Sequence, residues 1–391
     1  MKSADIQAMA RAIQLARKGW YTARPNPRVG CVIVNGGVVV GEGWHRRAGE
    51  AHAEVNALAQ AGDRARGATV YVSLEPCNHQ GKTPPCSEAL IKAGIACLVY
   101  GMADPHAAAS GGMAQLAAAG ITVRGPLLED AALALNPGFV RRCKSGLPRV
   151  TLKMAASLDG RSAMASGESQ WITGPAARSD VQRLRAQSCA IVTGVGTVLR
   201  DNPSMTVREA ELGLEGSGVE AAELVERQPL RVIVDSKFRS TADLKILQPP
   251  GAVMIATALE GRALEDKVLE GAGAEKTGFE GVELCSFPNA EGKVDLYHLL
   301  VALGEKECNE VLVEAGSKLA GVFLQEQLVD ELVLYMAPKL MGSEAMPMAT
   351  LGLSAMSEAL ELDITDVRIV GRDLRLTASL PAPRLSSAKR C

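Results

Sequence analysis

The spacing of apolar residues changes along the first part of the chain and separates helical from extended segments. Ile6, Met9 and Ile13 recur at helical spacing within residues 4–18 and predict an opening helix. The apolar runs 29–34 and 38–41 flank an Asn-Gly-Gly turn, a pattern typical of a β-hairpin. The chain therefore begins with a helix that is followed by paired strands.

Helical and extended patterns continue to alternate after the hairpin. The pattern predicts helices at 51–61, from 86 after two prolines, and at 112–119, with strands at 68–74 and 95–101. This alternation predicts a layered α/β domain that ends near residues 136–142, with residues 144–148 as a linker.

The rest of the chain predicts a second α/β domain. Its expected strands begin at 149 and continue at 190–193, 230–235, 252–256, 310–314 and 329–335. The Gly/Ser-rich run 157–173 is too polar for a core and is typical of a long functional loop, because Trp171 within it argues against disorder. Residues 208–228 are acidic and Gly-rich and indicate a solvated insertion. With 391 residues, the chain is too long for one ordinary core, so two domains are expected.

The composition of the chain argues against two classes of partner, nucleic acids and membranes. A net charge of −2 without a basic stripe, and 3% aromatic residues, argue against a nucleic-acid partner. No apolar run approaches the length of a membrane span, so no membrane association is expected. The chain lacks a signal-peptide pattern, and its nine cysteines are an odd number scattered over a long chain. We therefore expect a reducing, cytoplasmic location.

One group of residues indicates zinc chemistry. His52, Cys77 and Cys86 supply three soft zinc ligands, and Glu54 is a carboxylate that need not be a ligand. Three ligands and a free carboxylate are typical of zinc deaminases, in which the metal activates water and the glutamate moves protons. Two alternatives remain: a structural zinc with His79 as fourth ligand, and, less favoured, a disulfide between the two cysteines.

Two glycine-containing segments follow predicted strands, at 193–197 and 311–321. The second runs through a Gly/Ser turn into a helix, and we interpret it as a dinucleotide pyrophosphate loop, because free amides at a helix start bind anions. Neither segment matches the full Gly-x-Gly-x-x-Gly fingerprint, so a standard Rossmann domain is not supported. By itself, each is equally explained as tight-turn chemistry.

Longer strings carry a resemblance over nearly the whole chain. The sequence resembles the bifunctional riboflavin-biosynthesis deaminase/reductase family in Asn26-Pro27-Arg28-Val29-Gly30, His52-Ala53-Glu54, the segment from Glu75 to Cys86, Lys153-Met154-Ala155-Ala156-Ser157-Leu158-Asp159-Gly160 and Ser166-Gly167-Glu168-Ser169-Gln170-Trp171-Ile172. The resemblance implies a cytidine-deaminase-like three-layer α/β/α domain at 1–145, a dihydrofolate-reductase-like α/β domain at 149–380 and a tail at 381–391.

The resemblance also implies roles in the first domain. His52, Cys77 and Cys86 would hold Zn²⁺, and Glu54 would be the proton donor and acceptor. The substrate would be a diamino-pyrimidinone that carries a ribosylamino phosphate, and its exocyclic amine would leave as ammonia. Its pocket would be formed by Asn26, His79, Lys82, Thr83 and Asp104.

In the second domain the resemblance implies NADPH-dependent reduction of the ribosyl group to ribityl. NADPH would contact Ala155, Trp171, Thr197, Asp201, Ser236, Gly316, Ser317, Lys318, Leu319, Ala320, Gly321 and Val322. The substrate would contact Ser169, Arg185, Met205, Arg208 and Glu314. Lys153 is a further candidate without a fixed role. The family also implies a homo-oligomer formed through the reductase domain.

Three of these residues also have purely structural interpretations. Considered alone, Arg185 and Arg208 would more often be surface charges, and Trp171 would be a core anchor. One departure from the family pattern also matters: the chain has Asp104-Pro105-His106-Ala107 where Asp-Pro-Asn-Pro is usual. Imidazole in place of an amide predicts an altered pocket, while the zinc ligands and Glu54 are untouched.

Two other functions compete with the bifunctional enzyme. One is a zinc deaminase for another small nucleotide or for tRNA, with the second domain as a regulatory or binding module. The other is a non-enzymatic nucleotide sensor that zinc stabilises.

Overall fold

The computed structural model describes residues 2–80, 84–214, 221–272, 279 and 281–380. The chain forms two compact units, Met1–Leu147 and Pro148–Cys391. The predicted tail at 381–391 lies outside the described residues.

The first unit is built on a five-stranded sheet in the order β2-β1-β3-β4-β5. Its strands are β1 (Gly30–Asn35), β2 (Val38–Trp44), β3 (Thr69–Leu74), β4 (Cys97–Met102) and β5 (Thr122–Arg124). Its helices are α1 (Ser3–Ala16), α2 (Ala53–Ala61), α3 (Cys86–Ala93), α4 (Gly112–Ala118), α5 (Glu129–Leu133) and α6 (Pro137–Ser145). β1 pairs antiparallel with β2 and β3, whereas β3, β4 and β5 are parallel.

Alternate residues of the central strands enter two separate cores, one on each face of this sheet. On one face Val32, Tyr71 and Val99 pack with apolar residues of α1. On the other face Ile33 and Leu98 pack with residues of α2, α3 and α4. Because side chains alternate along a strand, the apolar runs in the sequence supply both faces. The expected three-layer arrangement is confirmed.

Helix α2 lies unusually close to strand β2, and two glycines make this possible. A Cβ atom at Gly41 would lie 2.3 Å from the carbonyl oxygen of Ala57, and one at Gly43 would lie 2.3 Å from that of Ala53. Both distances are shorter than any tolerable contact, so only glycine fits here. The approach fixes the start of α2, where His52 and Glu54 lie.

The second unit contains a nine-stranded sheet in the order β11-β10-β9-β8-β12-β6-β13-β16-β15. The strands are β6 (Arg149–Ser157), β8 (Ala190–Gly194), β9 (Leu230–Val234), β10 (Val253–Thr257), β11 (Val282–Ser286), β12 (Glu310–Glu314), β13 (Glu331–Ala337), β15 (Asp363–Val370) and β16 (Asp373–Ser379). A separate two-stranded ribbon pairs β7 (Arg161–Ala163) with β14 (Met346–Pro347). The helices are α7 (Pro175–Gln187), α8 (Val195–Asp201), α9 (Ala221–Glu226), α10 (Gly261–Ala272), α11 (Leu296–Glu305) and α12 (Ser317–Gln325).

Seven neighbouring strands of this sheet, from β11 to β13, run parallel, and β16 and β15 add an antiparallel edge. In such a sheet ligands bind outside the carboxyl ends of the strands. The carboxyl ends of β6, β8, β9 and β12 therefore share one edge, although they are far apart in sequence.

Most predicted elements are confirmed, with local differences. His52 is the N-cap of α2 and not part of its first turn. Helix α6 extends to Ser145, into the predicted linker. The loop predicted at 157–173 contains β7, and the insertion predicted at 208–228 contains a short 3₁₀ turn and α9. The sequence patterns missed β5, β11, β15 and β16, of which β5 is only three residues long.

No helix in the described part of the chain is both long enough and apolar enough to cross a membrane.

We predict that Gly43→Ala destabilises the first unit by about 1–3 kcal/mol, because the added methyl group would push α2 away from β2. Each kcal/mol corresponds to a fall in Tm of about 2–4 °C in a unit of this size. Thermal unfolding followed by circular dichroism measures the effect. The control is Gly352→Ala, where the nearest atom is 3.6 Å away. Equal Tm values for the two variants would contradict the packing argument.

Candidate functional site

His52, Cys77 and Cys86 form one cluster in the first unit. Their possible ligand atoms all lie within 4.8 Å of one another, and His52 Nδ1 is 3.2 Å from Cys86 Sγ and 3.5 Å from Cys77 Sγ. His52 caps α2, Cys77 follows β3 and Cys86 begins α3, so three separate elements converge here. The predicted convergence is confirmed.

Both alternatives for this cluster lose support. Cys77 and Cys86 are free thiols. His79 is exposed and does not belong to the group, which has three members among the described residues. A site with three ligands leaves a fourth zinc position for water or substrate, as in catalytic rather than structural zinc sites.

The environment of the cluster favours a thiolate at Cys77. Its sulfur accepts hydrogen bonds from the thiol of Cys86 and from His52, and it lies 3.4 Å from the Cys86 backbone nitrogen. The hydrogen bond from Cys86, followed by the one from His52, lowers the pKa of Cys77 even though burial opposes the shift. A thiolate is the form that binds metals, so the donor set fits zinc.

Glu54 lies beside this cluster on α2 and is only 3% exposed. Burial raises the pKa of its carboxyl group to about 7, and the nearby positive charge of His52 opposes part of this rise. A carboxyl group with a pKa near neutrality can both accept and release a proton.

A second histidine, His45, was missed by the sequence analysis. It follows β2, is almost fully buried and lies edge to face with the ring of His52. Burial lowers the pKa of His45 to about 4, so the ring is neutral. Its Nδ1 then donates to the carbonyl of Ala51, and its Nε2 accepts from the Asn26 amide at 3.1 Å. His45 therefore holds Asn26 next to the cluster. The only sequence signal for this role is that a histidine directly follows a predicted strand.

The loops after β3 and β4 are joined by Glu75, which the sequence analysis assigned no role. Its buried carboxylate accepts from the backbone amides of Asp104, Gly111 and Met113. The predicted substrate residue Asp104 accepts from the backbone amide of His106, whose side chain is exposed. The substituted imidazole therefore lies at the outer side of this loop. Lys82 and Thr83 lie outside the described residues.

The second unit has a cleft at the carboxyl ends of β6, β8, β9 and β12. Its volume is about 1840 Å³, above the roughly 300–1,000 Å³ usual for one small ligand, so it can hold two. Fifteen of the predicted contact residues line it: Ala155, Ser169, Trp171, Arg185, Thr197, Asp201, Met205, Arg208, Ser236, Glu314, Gly316, Ser317, Lys318, Leu319 and Val322.

Ala320 and Gly321 do not line this cleft, although the predicted segment includes them. Ala320 is fully buried. A Cβ atom at Gly321 would lie 2.0 Å from the carbonyl oxygen of Thr350. Helix α12 turns about 100° per residue, so Ala320 and Gly321 lie on its protein-facing side, away from Leu319 and Val322, which line the cleft.

Arg185 and Glu314 form a buried, bidentate ion pair at the floor of the cleft. Nε donates to Oε1 at 2.6 Å and Nη2 to Oε2 at 3.0 Å, while Lys153 Nζ lies 3.6 Å from Oε2. Burial alone would raise the pKa of Glu314, but the charges of Arg185 and Lys153 lower it to about 2. Glu314 is thus a permanent anion between two cations, and Lys153 acquires a place in the site.

The purely structural interpretations are wrong for Arg185 and Trp171. Arg185 is buried and is not a surface charge, and Trp171 is 61% exposed and is not a core anchor. The Arg178 guanidinium lies 4.5 Å from the centroid of the indole ring, and Lys339 donates to the Trp171 carbonyl. For Arg208 the surface interpretation is closer, because its half-exposed side chain pairs with Glu211.

The helices α8 and α12 begin at the same edge. Gly316 is the N-cap of α12 and offers no side chain to its first amides. The first turn of a helix leaves several amides without intrahelical partners, so this end attracts anions. Thr197 on α8 lies close to Gly316, since a Cβ atom there would be 3.4 Å from Thr197 Oγ1. This geometry fits a diphosphate.

Comparisons with known proteins cover both units. Residues 2–102 match the cytidine and deoxycytidylate deaminase zinc-binding region, and residues 148–376 match the RibD C-terminal domain. The chain is 48% identical to the riboflavin biosynthesis protein RibD of Escherichia coli, over 95% of this chain and 98% of that protein. It is 44% identical to RibD of Haemophilus influenzae, over 96% and 97% of the two chains.

Solved structures give the same picture. The Acinetobacter baumannii RibD structure, form 2, is 41% identical with a TM-score of 0.84, over 97% of this chain and 99% of that one. A diaminohydroxyphosphoribosylaminopyrimidine deaminase/5-amino-6-(5-phosphoribosylamino)uracil reductase from Thermotoga maritima is 31% identical with a TM-score of 0.82, at the same coverage. The two expected fold classes, cytidine-deaminase-like and dihydrofolate-reductase-like, are confirmed.

We predict that Cys86→Ser abolishes tight zinc binding, because it replaces one of three soft ligands with a hydroxyl group. Metal analysis of the purified, dialysed protein should give about one zinc per unaltered chain and almost none for the variant. Cys97→Ser, at a partly buried thiol outside the cluster, is the control and should retain zinc. Full zinc content in the Cys86 variant would show that the cluster is not the zinc site.

Proposed function

The chain belongs to the RibD family of riboflavin biosynthesis, and from that premise we propose which of its residues perform the two reactions of the family. The protein is a zinc-dependent deaminase and an NADPH-dependent reductase of small-molecule substrates. This excludes a second unit that is only regulatory and also excludes a non-enzymatic sensor. We assign the deaminase to residues 1–145 and the reductase to residues 149–380.

The deaminase acts through the cluster of the first unit. The observation that carries this assignment is the approach of His52, Cys77 and Cys86 within 4.8 Å, next to the buried Glu54. These three residues hold zinc, which supplies Lewis-acid activation of water at neutral pH. The substrate is a diamino-pyrimidinone with a ribosylamino phosphate. Oxygen from water replaces its exocyclic amine, which leaves as ammonia.

Glu54 moves the protons of this hydrolysis. Its carboxylate takes a proton from the attacking water, and the same carboxyl group returns it to the departing amine. A pKa of about 7 makes both transfers possible near neutral pH. Asn26, held by His45, and Asp104, held through Glu75, lie on the loops around this site and position the pyrimidine. His79, Lys82 and Thr83 are assigned to the ribose-phosphate side.

The reductase acts in the cleft of the second unit. The cleft would hold NADPH, which would supply the hydride that, together with one proton, reduces the ribosyl group to ribityl. Gly316 and Ser317 at the start of α12, with Thr197 on α8, hold the diphosphate, and Trp171, Asp201 and Ser236 are further cofactor contacts. Arg185, Glu314 and Met205 form the floor beneath the substrate, with Ser169 and Arg208 at its edge. Lys153 supplies a second cation beside Glu314.

Glu54→Gln is expected to lower the rate of deamination by about 10²- to 10⁴-fold, because the amide keeps the shape but cannot carry the proton. Ammonia release from the diamino-pyrimidinone phosphate measures the loss. Zinc content should be unchanged, and so should NADPH-dependent reduction of the already deaminated substrate. Glu50→Gln, at an exposed carboxylate nearby, is the matched control. Deamination within about tenfold of the unaltered rate would remove Glu54 from the mechanism.

We also propose that the enzyme works in the cytoplasm as a homo-oligomer formed through the reductase domain. The support is the β15–β16 ribbon, whose outer strand leaves apolar side chains uncovered. Ile364, Val367 and Ile369 on β15 are 56%, 55% and 77% exposed and pair with Ala378, Leu376 and Leu374 on β16. An apolar edge strand of this kind readily pairs with a second copy of the chain.

Replacing both Val367 and Ile369 with aspartate should therefore shift the protein toward the monomer, because buried carboxylates at the interface lack partners. Size-exclusion chromatography with light scattering gives the mass. Val39→Asp, at an exposed position on β2 of the other unit, should leave the mass unchanged. A monomeric unaltered protein, or an unchanged mass for the double variant, would exclude this interface.

A further inference from the structure

Trp171 lies at the cleft of the second unit without support from a hydrophobic core. It lines the cleft, yet it is 61% exposed. An exposed indole has few apolar contacts to fix its orientation, and ordering such a side chain when a ligand binds costs free energy. Trp171 belongs to the segment between β7 and α7, which also carries Ser169. The orientation of the ring therefore depends on what holds the backbone of this segment.

Lys339 holds this segment at Trp171. Its Nζ donates to the Trp171 carbonyl oxygen at 2.7 Å. Lys339 follows β13 and, among the described residues, is not one of those that line the cleft. Its own backbone is anchored, because its carbonyl accepts from the amide of Leu158 at 2.9 Å and its amide donates to the carbonyl of Ala337 at 2.7 Å. The ammonium group therefore reaches Trp171 from an anchored strand end and does not face a ligand in the cleft.

Asp373 holds the end of the same segment. Its buried side chain accepts, through Oδ2, a hydrogen bond from the backbone amide of Gly174 at 2.7 Å. Gly174 is the N-cap of α7 and has no side chain of its own, so the carboxylate that faces this helix start comes from β16. Asp373 is likewise absent from the lining of the cleft in the described part of the chain. The two anchors thus come from β13 and β16, which are neighbours in the sheet.

Arg178 links the indole ring to the backbone between these anchors. Its guanidinium lies 4.5 Å from the centroid of the Trp171 ring, and its Nη1 donates to the Thr173 carbonyl at 3.0 Å. A guanidinium over an indole face attracts the ring electrostatically. Arg178 itself lines the cleft, however, so its contacts with Trp171 cannot be separated from contacts with a ligand. Lys339 and Asp373 are the groups that act on this segment from outside the cleft.

On this geometry we infer that Lys339 and Asp373 are positioning residues of the reductase. They fix the backbone from Trp171 to Gly174, so that the exposed indole is already in place when NADPH binds. The inference rests on the proposed contact between Trp171 and NADPH. Because a contact that is ordered in advance lowers the cost of binding, the loss of either anchor weakens NADPH binding although neither side chain touches the cofactor.

A double-mutant cycle on the full chain tests this role. Lys339→Met removes the donor and keeps the apolar stem, so the Kd for NADPH should rise by about two- to tenfold, the effect of one ordinary hydrogen bond. In a Trp171→Ala background the same substitution should change the Kd by less than about twofold, because no indole is left to position. Lys339→Arg keeps a donor and should retain tight binding. Lys267→Ala, at an exposed position on α10, is the control and should leave the Kd unchanged.

Asp373 is tested in the same cycle. Asp373→Ala should raise the Kd for NADPH in the unaltered chain and have no further effect in the Trp171→Ala background, with the exposed Asp266→Ala as its control. Fluorescence gives a second readout, because Trp171 is the sole emitter of its kind once Trp20→Phe and Trp44→Phe are introduced. Time-resolved anisotropy should then show faster local motion of the Trp171 indole in Lys339→Met and in Asp373→Ala, and unaltered motion in the two controls.

The contrary outcomes separate the inference from the proposed site. A Lys339 effect of equal size with and without the indole would mean that Lys339 does not act through Trp171, and an unchanged Kd would mean that it holds nothing of consequence. Both results overturn the inference and leave the proposed cofactor contacts standing. If Trp171→Ala itself leaves NADPH binding unchanged, the proposed contact of Trp171 fails and the inference fails with it. If Asp373→Ala does not fold, the Lys339 variants, at an exposed position, decide the question.

Discussion

A buried carboxylate keeps its charge only where hydrogen-bond donors or positive charges compensate it, and otherwise it binds a proton. Each half of this chain has one such group at its proposed site. Glu54 is buried beside the zinc ligands, and burial raises its pKa to about 7. Glu314 is buried to a similar degree but lies between Arg185 and Lys153, and its pKa falls to about 2. The same side chain is therefore a proton carrier in one unit and a fixed anion in the other. The surrounding charges decide which.

In the first unit, the site residues come together because helices pack closely against the strands and loops at a few glycines. Gly41 and Gly43 let α2 lie against β2, which brings His52 and Glu54 to the cysteines. Gly112 plays the same part for α4, since a Cβ atom there would lie 1.9 Å from the carbonyl oxygen of Pro76, next to Cys77. In both cases a missing side chain permits a backbone contact that fixes the distance between reacting groups. In the first unit, the same close packing therefore fixes both the fold and the positions of the proposed zinc ligands.

In the second unit, the order and direction of the strands bring the site residues together. Parallel strands place the residues that follow them at one edge, so side chains that are more than a hundred positions apart become neighbours. The packing of α7 on this sheet adds a further long-range contact: Arg185 on α7 and Glu314 at the end of β12 are separated by 129 positions and form a bidentate pair. Hydrogen bonds to acidic side chains then hold loops at this edge. Buried Asp235 accepts from the loop after β9, and the partly exposed Asp159 accepts from the amides of Met341 and Gly342.

The sequence by itself determined the chemistry of the zinc ligands, the carboxylate beside them and most of the strand and helix order. These features depend on residue type and on spacing over a few positions, which a single chain displays. It could not reveal that His45 holds Asn26, that Glu75 joins two loops, or that Ala320 and Gly321 turn away from the cleft. It also missed β15 and β16; β15 is the edge strand, and its Ile364, Val367 and Ile369 are exposed. Each of these depends on which groups meet after folding. Only the tertiary structure decides burial and charge compensation, and these set whether a buried acid carries a proton or keeps its charge.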